Sequence, residues 1–242
     1  MSLLDEPVEL AVVDYGMGNR RSVEKALAHI GASVTVTADH DQLRGAAGLV
    51  VPGVGAFPRG MANLRELGLD ELLRERLAQG TPVLGICLGM QLGFERSTEQ
   101  GGTQGLGVIA GEVRELEHGS LKLPHIGWNE VSFGASSPSS TGSVFASSPF
   151  STVGFDASSP LIEGLPERCA FYHVHSFVPV PSAREDILGT AVYGESFASV
   201  VSHESFYGVQ FHPEKSSAAG LRLLANFARI CARSAVPVGH SS

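Results

Sequence analysis

The sequence predicts an α/β fold: a mostly parallel sheet flanked by helices, with an antiparallel β extension. In the first half of the chain, apolar strand-like segments alternate with amphipathic helical ones, the pattern of a parallel sheet covered on both faces. In the second half, short β-rich segments follow one another until a final amphipathic helix. The 242 residues suit one large domain, and 43% of them are hydrophobic, which is enough for a substantial core.

Strands and helices alternate along the first half. Apolar, β-branched segments end at glycine-containing turns, and the segments between them carry apolar residues at the spacing of a helix face. Strands are predicted at residues 8–13, 33–37, 48–51 and 83–86. Helices are predicted at residues 20–30, 61–66, 69–79 and 88–95. The strand that ends at residue 51 is expected to lie beside the strand that ends at residue 86.

The second half is richer in short β segments. They fall at residues 108–116, 128–133, 170–178, 188–193, 200–203 and 207–211, and a final helix is predicted at residues 216–233. We therefore expect one domain over residues 8–233, with residues 1–7 and 234–242 as flexible tails. Within it, Ala-Ser-Ser-Pro begins at positions 135, 146 and 157. Repeated serine and proline predict a mobile surface insertion at about residues 134–157.

Composition and charge argue against several classes of protein. The chain carries 17 basic and 25 acidic residues, a net charge of −8, which does not suit a general nucleic-acid-binding surface. No apolar run is long enough to span a bilayer, and the first residues lack the apolar region of a signal peptide. Three cysteines form no disulfide framework, so a reducing, cytoplasmic compartment is expected. Because metal-ligand spacing and a complete phosphate-cradle motif are missing, we expect neither a metal nor a cofactor.

The residues around Cys87 have the form of a nucleophile elbow. Gly85 and Gly89 flank the thiol at two residues on either side, which matches the G-x-nucleophile-x-G pattern. Glycine is needed there because side chains would collide with the crowded turn between strand and helix. The helix that follows points its free N–H groups at the sulfur, which favours the thiolate. The alternative is a buried structural cysteine at a strand end.

A histidine and a carboxylate at spacing two offer Cys87 a base and an orienting group. A short apolar strand leads to His212, and Glu214 follows after Pro213. In extended chain, that spacing places the imidazole and the carboxylate on the same side. The carboxylate would hold the ring in one tautomer and stabilise its cation. Alone, the pair is most simply explained as a surface histidine beside an acid; together with Cys87 it predicts a catalytic triad.

Residues 52–57, Pro-Gly-Val-Gly-Ala-Phe, supply a third element. Gly53 and Gly55 leave the peptides around Val54 free to reorient. A backbone N–H there, together with that of Leu88, would form an oxyanion hole. Taken by itself, the segment is better explained as a plain turn after a parallel strand.

These motifs resemble the class I (triad) glutamine amidotransferases. Gly-Ile-Cys-Leu-Gly-Met-Gln at residues 85–91 and Phe-His-Pro-Glu at residues 211–214 carry the likeness to that family. Further segments are similar to its branch that forms the glutaminase subunit of imidazole glycerol phosphate synthase, namely residues 14–19, 52–57, 123–129, 174–177 and 212–216. The match covers nearly the whole chain in order, except both tails and the serine/proline insertion. It implies a flavodoxin-like fold.

The resemblance implies that the chain hydrolyses glutamine to glutamate and ammonia. Cys87 would attack the side-chain amide, His212 would protonate the departing ammonia and then activate water, and Glu214 would orient His212. Backbone N–H groups at Val54 and Leu88 would hold the oxyanion. The residues implied in binding glutamine are Gly53, Gly55, Gln91, Glu99, His175, Ser176 and Phe177.

Gln91 has independent support for its place in that set. It lies four residues after Cys87, one helical turn along the same face.

The same resemblance implies a partner and a docking surface. The ammonia would pass to a (βα)8-barrel cyclase subunit, which makes imidazole glycerol phosphate and an aminoimidazole carboxamide ribonucleotide, and we expect that barrel to be a separate chain. Residues implied at the interface are Asn19, Arg21, Trp128, Tyr172 and Lys215. Arg20 and Arg21, two cations at a helix start, are expected to be solvated or paired with acidic groups of the partner. We also expect the Val54 peptide to be mis-set until the cyclase binds its own substrate.

Three other functions remain open at this point. Another class I glutaminase, serving anthranilate, purine or pyridoxal phosphate synthesis, would differ only in its partner, and the motif around Trp128 argues against it. A cysteine hydrolase of similar fold, acting on peptides or γ-glutamyl compounds, would be active without a partner. A non-enzymatic interaction module would carry a degraded triad, whereas Cys87, His212 and Glu214 are all present.

Overall fold

The computed structural model of the chain describes residues 3–133 and 159–235. Its helices are α1 Arg20–Ile30, α2 His40–Gly45, α3 Phe57–Glu66, α4 Leu69–Ala78, α5 Leu88–Leu92 and α6 Ser217–Ala235. Its strands are β1 Glu9–Val13, β2 Ser33–Thr37, β3 Gly48–Gly53, β4 Val83–Cys87, β5 Phe94–Ser97, β6 Thr103–Gln104, β7 Ile109–Glu115, β8 His125–Ser132, β9 Arg168–His175, β10 Phe177–Pro181, β11 Ile187–Tyr193, β12 Glu195–His203 and β13 Phe206–Val209. The serine/proline insertion predicted at about residues 134–157 lies outside the described residues.

The described strands form two sheets. The larger has the order β2-β1-β3-β4-β13-β12-β11-β8-β9. Strands β2, β1, β3, β4 and β13 pair in parallel, and β12, β11, β8 and β9 continue the sheet in antiparallel pairs. The predicted parallel sheet and its antiparallel extension are therefore one continuous sheet. A smaller sheet, in the order β10-β7-β5-β6, was not predicted.

Both faces of the large sheet are covered, as the fold class requires. Alternation along β1 sends Leu10 and Val12 into one apolar cluster and Ala11 and Val13 into the other. The first cluster includes the apolar faces of α1 and α6, and the second includes those of α3, α4 and α5. None of the described helices is long and apolar enough to cross a membrane.

Helix α2 was not predicted, and two further differences from the sequence-based expectation border the candidate site. The helix predicted at residues 88–95 ends at Leu92, because Phe94–Ser97 becomes a strand that pairs with β6 and β7 in the small sheet. Gly93, between α5 and β5, allows close packing on β13, since a Cβ there would lie 2.5 Å from the ring of Phe206. The strand predicted at residues 170–178 is two strands that belong to different sheets, with Ser176 between them. The two sheets thus meet at residues 175–177.

Candidate active site

Cys87 occupies a strained turn between β4 and α5. Its φ of 53° lies in the left-handed region, which non-glycine residues rarely adopt. Gly85 and Gly89 are required by close packing: a Cβ on Gly85 would lie 2.5 Å from the Gly89 carbonyl oxygen, and one on Gly89 would overlap the Val51 carbonyl. The predicted elbow is therefore present, with Cys87 at the carboxyl end of a central strand.

The imidazole of His212 lies between Cys87 and Glu214. His212 Nδ1 is 2.9 Å from Glu214 Oε1, and the two side chains are 3% and 1% exposed. A carboxylate can only accept, so Nδ1 carries the hydrogen, and Nε2 is left for an interaction with the thiol of Cys87. The contact arises from a tight 3₁₀ turn at Pro213–Lys215 rather than from the extended chain that the spacing suggested.

Electrostatics favour the imidazolium form of His212. Burial opposes its charge, but the hydrogen bonds to Cys87 and Glu214 and the charges of these two groups outweigh it and raise the pKa of His212 to about 10. At neutral pH the site therefore holds a proton on His212. The second carboxylate oxygen of Glu214, Oε2, is buried without a hydrogen-bond partner among the described residues.

A cavity of about 250 Å³ opens in front of the thiol. The predicted site residues that line it are Val54, Gly55, Cys87, Leu88, Gln91, Glu99, His175, Ser176 and Phe177. Pro124 and Val174 line it as well and were not foreseen. Within the described part of the chain, no three His, Cys, Asp or Glu side chains are grouped as metal ligands would be.

The loop at residues 53–55 lies directly beside the nucleophile. Gly53 ends β3 in parallel register with Cys87. A Cβ on Gly53 would lie 2.9 Å from the Cβ of Leu88, so close packing requires glycine there. Gly55 has a φ of 112°, a backbone conformation that favours glycine. Val54 between them is 44% exposed and lines the cavity. The N–H donors predicted for an oxyanion hole thus border the same space.

The side chains of Gln91, Glu99 and His175 are held by backbone groups around the cavity. Gln91 Nε2 donates to the Phe177 carbonyl at 3.0 Å, and Glu99 Oε2 accepts from the N–H of Phe57, the first residue of α3, at 2.8 Å. His175 Nδ1 donates to the same Phe177 carbonyl at 3.1 Å. Burial and the neighbouring His173 lower the pKa of His175 well below its usual value, so this imidazole is neutral.

Sequence reasoning missed two buried side chains that face the nucleophile. Gln210 is fully buried, and its Nε2 lies 3.7 Å from Cys87 Sγ. The hydroxyl of Tyr15 is buried without a partner among the described residues, and burial together with the charge of Cys87 raises its pKa. Gln210 stands two residues before His212, a signal that the sequence offered; nothing in the sequence pointed the Tyr15 hydroxyl toward the site.

Three of the predicted interface residues lie side by side. Trp128 and Tyr172 are directly paired across β8 and β9, with their rings 6.2 Å apart, and Lys215 Nζ is 5.8 Å from the Tyr172 ring. Trp128 is 54% exposed, and Ile126 on the same side of β8 is 60% exposed. These four residues, Ile126, Trp128, Tyr172 and Lys215, are called the aromatic face below.

The start of α1 holds the other predicted interface residues. Asn19 Oδ1 accepts from the Ser22 hydroxyl at 2.8 Å, and Arg21 is exposed. Arg20 forms an ion pair with Asp14 of the same chain, so it is not fully solvated, which was one of the two expected alternatives. The carboxylate of Asp14 offsets the unfavourable placement of a cation at a helix start.

A second, larger cavity lies away from this chemistry. It measures about 720 Å³ and is lined by the segment at residues 4–9, by Arg76 and Arg229, and by residues that lead into β3 and β4. Its described lining includes neither a cysteine nor a histidine. The groups that can carry out nucleophilic chemistry are gathered at Cys87.

Comparison with known proteins agrees with the fold. The family model for glutamine amidotransferase class-I matches residues 11–231. PurLQS from Thermotoga maritima has a similar structure, with a TM-score of 0.65 and 17% identity over 93% of this chain and 99% of that one, which shows the shared fold. The chain belongs to the class-I glutamine amidotransferase family.

Curated relatives narrow the assignment. The imidazole glycerol phosphate synthase subunit HisH of Moorella thermoacetica is 43% identical over 231 residues, which cover 96% of this chain and 99% of the relative. The HisH subunit of Methylococcus capsulatus is 44% identical over 229 residues, covering 91% and 95%. Within the family, these similarities put the chain among the HisH subunits of imidazole glycerol phosphate synthase, an enzyme of histidine biosynthesis.

Proposed function

We propose that this chain hydrolyses glutamine at Cys87 and delivers the ammonia to a (βα)8-barrel cyclase subunit on a separate chain. The observation that carries the proposal is the thiol at the strained turn, beside an imidazole that Glu214 holds from its other side. Membership of the class-I family and the HisH relatives support glutamine as the substrate. Residues 8–233 form one catalytic domain in this proposal, because both halves of the chain contribute strands to one sheet.

In the first step, the Cys87 thiolate attacks the side-chain carbonyl carbon of glutamine. The carbonyl oxygen takes up the negative charge and accepts from the N–H groups of Leu88 and Val54; one such donor is typically worth about 10²–10³ in rate. His212 then gives its Nε2 proton to the amide nitrogen as the C–N bond breaks. Ammonia leaves, and a γ-glutamyl thioester on Cys87 remains.

The second step uses the same histidine with a different proton affinity. In the thioester the sulfur carries no charge, so the interactions with Cys87 that raise the pKa of His212 are lost, while the contribution of Glu214 persists. The neutral imidazole then takes a proton from water as the water oxygen attacks the thioester carbon. The C–S bond breaks, glutamate leaves, and the thiolate and imidazolium are restored. The sum of the two steps is glutamine and water giving glutamate and ammonia.

Glu99 links substrate binding to the oxyanion loop. Its Oε2 accepts from the N–H of Phe57, which begins α3 immediately after the loop at residues 53–55. The carboxylate also lines the cavity and keeps further acceptor sites. In this proposal it accepts from the α-ammonium group of glutamine, while the backbone at residues 175–177 forms the opposite wall.

The aromatic face is the proposed docking site for the cyclase. Aromatic side chains such as the exposed Trp128 and the half-buried Tyr172 are typical of the buried centre of an interface. The Tyr172 backbone is tied to His212: the His212 N–H donates to the Tyr172 carbonyl at 2.8 Å, and the Tyr172 N–H donates to Ser216 Oγ at 3.0 Å. Ser216 Oγ in turn donates to the His212 carbonyl at 2.7 Å. A partner that seats on Tyr172 therefore acts on the backbone that carries the catalytic histidine.

The test is glutamine hydrolysis by the chain alone, with the cyclase, and with the cyclase and its nucleotide substrate, with Cys87→Ala as the blank. Strong activation by the liganded cyclase, absent from the blank, is the expected result. Equally high activity in all three conditions would instead favour a stand-alone cysteine hydrolase. Activity that survives in Cys87→Ala would remove the proposed nucleophile.

A further inference from the structure

Gln210 contacts the reacting sulfur, although the mechanism above gives it no role. It is fully buried in the segment between β13 and His212. Its Nε2 is 3.7 Å from Cys87 Sγ, and its Oε1 is 3.1 Å from Gln91 Nε2. One neutral side chain thus joins the nucleophile to a residue that lines the substrate cavity.

The orientation of both amide groups follows from one carbonyl. The Phe177 oxygen can only accept, so the group of Gln91 that faces it must be the amide nitrogen. The second hydrogen of that nitrogen goes to Gln210, which must therefore present its oxygen to Gln91. The amide nitrogen of Gln210 is then turned toward Cys87, and the contact is an N–H that donates to sulfur.

The groups around the sulfur indicate that the Gln210 N–H stabilises the thiolate form of Cys87 rather than the thiol. The thiol lies 3.7 Å from the Val174 carbonyl, to which a neutral S–H can donate. Once the proton has left, the Val174 carbonyl cannot stabilise the thiolate, because it has no hydrogen to donate. The Gln210 N–H and the His212 imidazolium both stabilise it. We propose that Gln210 is a positioning residue of the glutaminase, which holds the Cys87 thiolate with its side-chain N–H; this proposal rests on the function proposed above.

The same chain of donors restricts how Gln91 can meet the substrate. Both hydrogens of its amide nitrogen are used, by Phe177 and by Gln210. Gln91 therefore has only its Oε1 to offer to glutamine, as an acceptor from a substrate N–H group. Bound glutamine then extends the donor chain through Gln91 and Gln210 to the sulfur, and each bond polarises the next.

The decisive variant is Gln210→Met, which keeps the length of the side chain and removes the donor. Alkylation of Cys87 by iodoacetamide, followed by mass spectrometry of its peptide, gives the pH profile of thiolate formation without a partner or substrate. We expect its midpoint to move up by about one pH unit, a tenfold loss of thiolate below the midpoint. In the complex with liganded cyclase, kcat should fall by at least about tenfold, with a smaller change in KM.

Ser199→Ala is the matched control. Ser199 is fully buried and hydrogen-bonded to His173 Nε2 at 3.0 Å, but it makes no hydrogen bond to Cys87. We expect this variant to leave the alkylation midpoint unchanged. A folded Gln210→Met chain with the wild-type midpoint would overturn the proposal, whereas a wild-type complex without Cys87-dependent hydrolysis would overturn the proposed function alone.

A second measurement uses the wild-type chain and does not depend on the folding of a variant. The side-chain amide signals of Gln210 in a ¹⁵N NMR spectrum should shift with pH in step with the alkylation profile. In Cys87→Ala this titration should disappear. Amide signals of Gln210 that do not change with pH in the wild type would refute the proposal that its N–H donates to the Cys87 thiolate.

Discussion

Replacing Glu214 with glutamine should move the alkaline limb of the glutaminase pH profile to lower pH. The substitution isolates the charge, because the retained Oε1 can still accept from His212 Nδ1 and the atom that changes, Oε2, has no partner among the described residues. Burial lowers the pKa of His212, while Cys87 and Glu214 raise it to about 10. The imidazolium that protonates ammonia is thus present below that value and is lost as the pH rises through it.

The size of the shift follows from the strength of one buried, charged hydrogen bond. Such a bond contributes about 1.5–3 kcal/mol, and 1.36 kcal/mol corresponds to one pKa unit, so the limb should move down by about one to two units. The assay is kcat/KM for glutamine against pH in the complex with liganded cyclase, since this parameter reports the free enzyme. Asp186→Asn is the matched control: it removes the carboxylate from a second pair, with His203 Nδ1 at 2.8 Å, and should leave the profile unchanged. An alkaline limb that stays in place in Glu214→Gln would refute the assignment of His212 as the acid.

Three further predictions concern the oxyanion loop and the partner. Tyr15→Phe should raise the free energy of unfolding by about 1 kcal/mol in thermal denaturation, because it removes a buried hydroxyl without a partner; a loss of stability would mean that the hydroxyl is bonded. Gly53→Ala should lower glutaminase activity by about a hundredfold while iodoacetamide still labels the thiol, since its Cβ would lie 2.9 Å from that of Leu88 and displace a donor loop. Trp128→Ala should weaken cyclase binding by about 2 kcal/mol, or about thirtyfold, in titration calorimetry. Leu67→Ala is its control, because Leu67 is also apolar and is 44% exposed. Equal losses of binding free energy in both variants would contradict the proposed docking surface.

The elements that position the site could be predicted from local pattern. The periodicity of α1 and the β-branched segment of β2 predicted bounds identical to those in the structure. The glycines around Cys87 predicted the turn, because a tight turn excludes side chains at fixed positions and so requires glycine there. The structure brings Cys87, His212 and Glu214 together, while their catalytic roles stay a prediction.

What could not be predicted depends on contacts between distant segments. The change from α5 to β5 is decided by pairing with the neighbouring strand β7, and this pairing leaves no local signal in the sequence of residues 88–97. The break at Ser176 belongs to the meeting of two sheets rather than to a strand-breaking residue. The role of Gln210 depends on Phe177 and Gln91, three segments that only the folded chain brings together.

The parallel pairing of β4 with β13 links the assembly of the candidate active site to the folding of the large sheet. Val209 lies opposite Ile86 in that register, so the segments that carry Cys87 and His212 leave the same end of one strand pair. Such a pairing joins residues far apart in the sequence and is expected to form late, because the long loop must close first. A slip by one residue would turn every side chain of β13 to the opposite face. The recovery of the proposed Cys87-dependent hydrolysis during refolding, assayed with liganded cyclase, therefore reports when the centre of the sheet has acquired its native register.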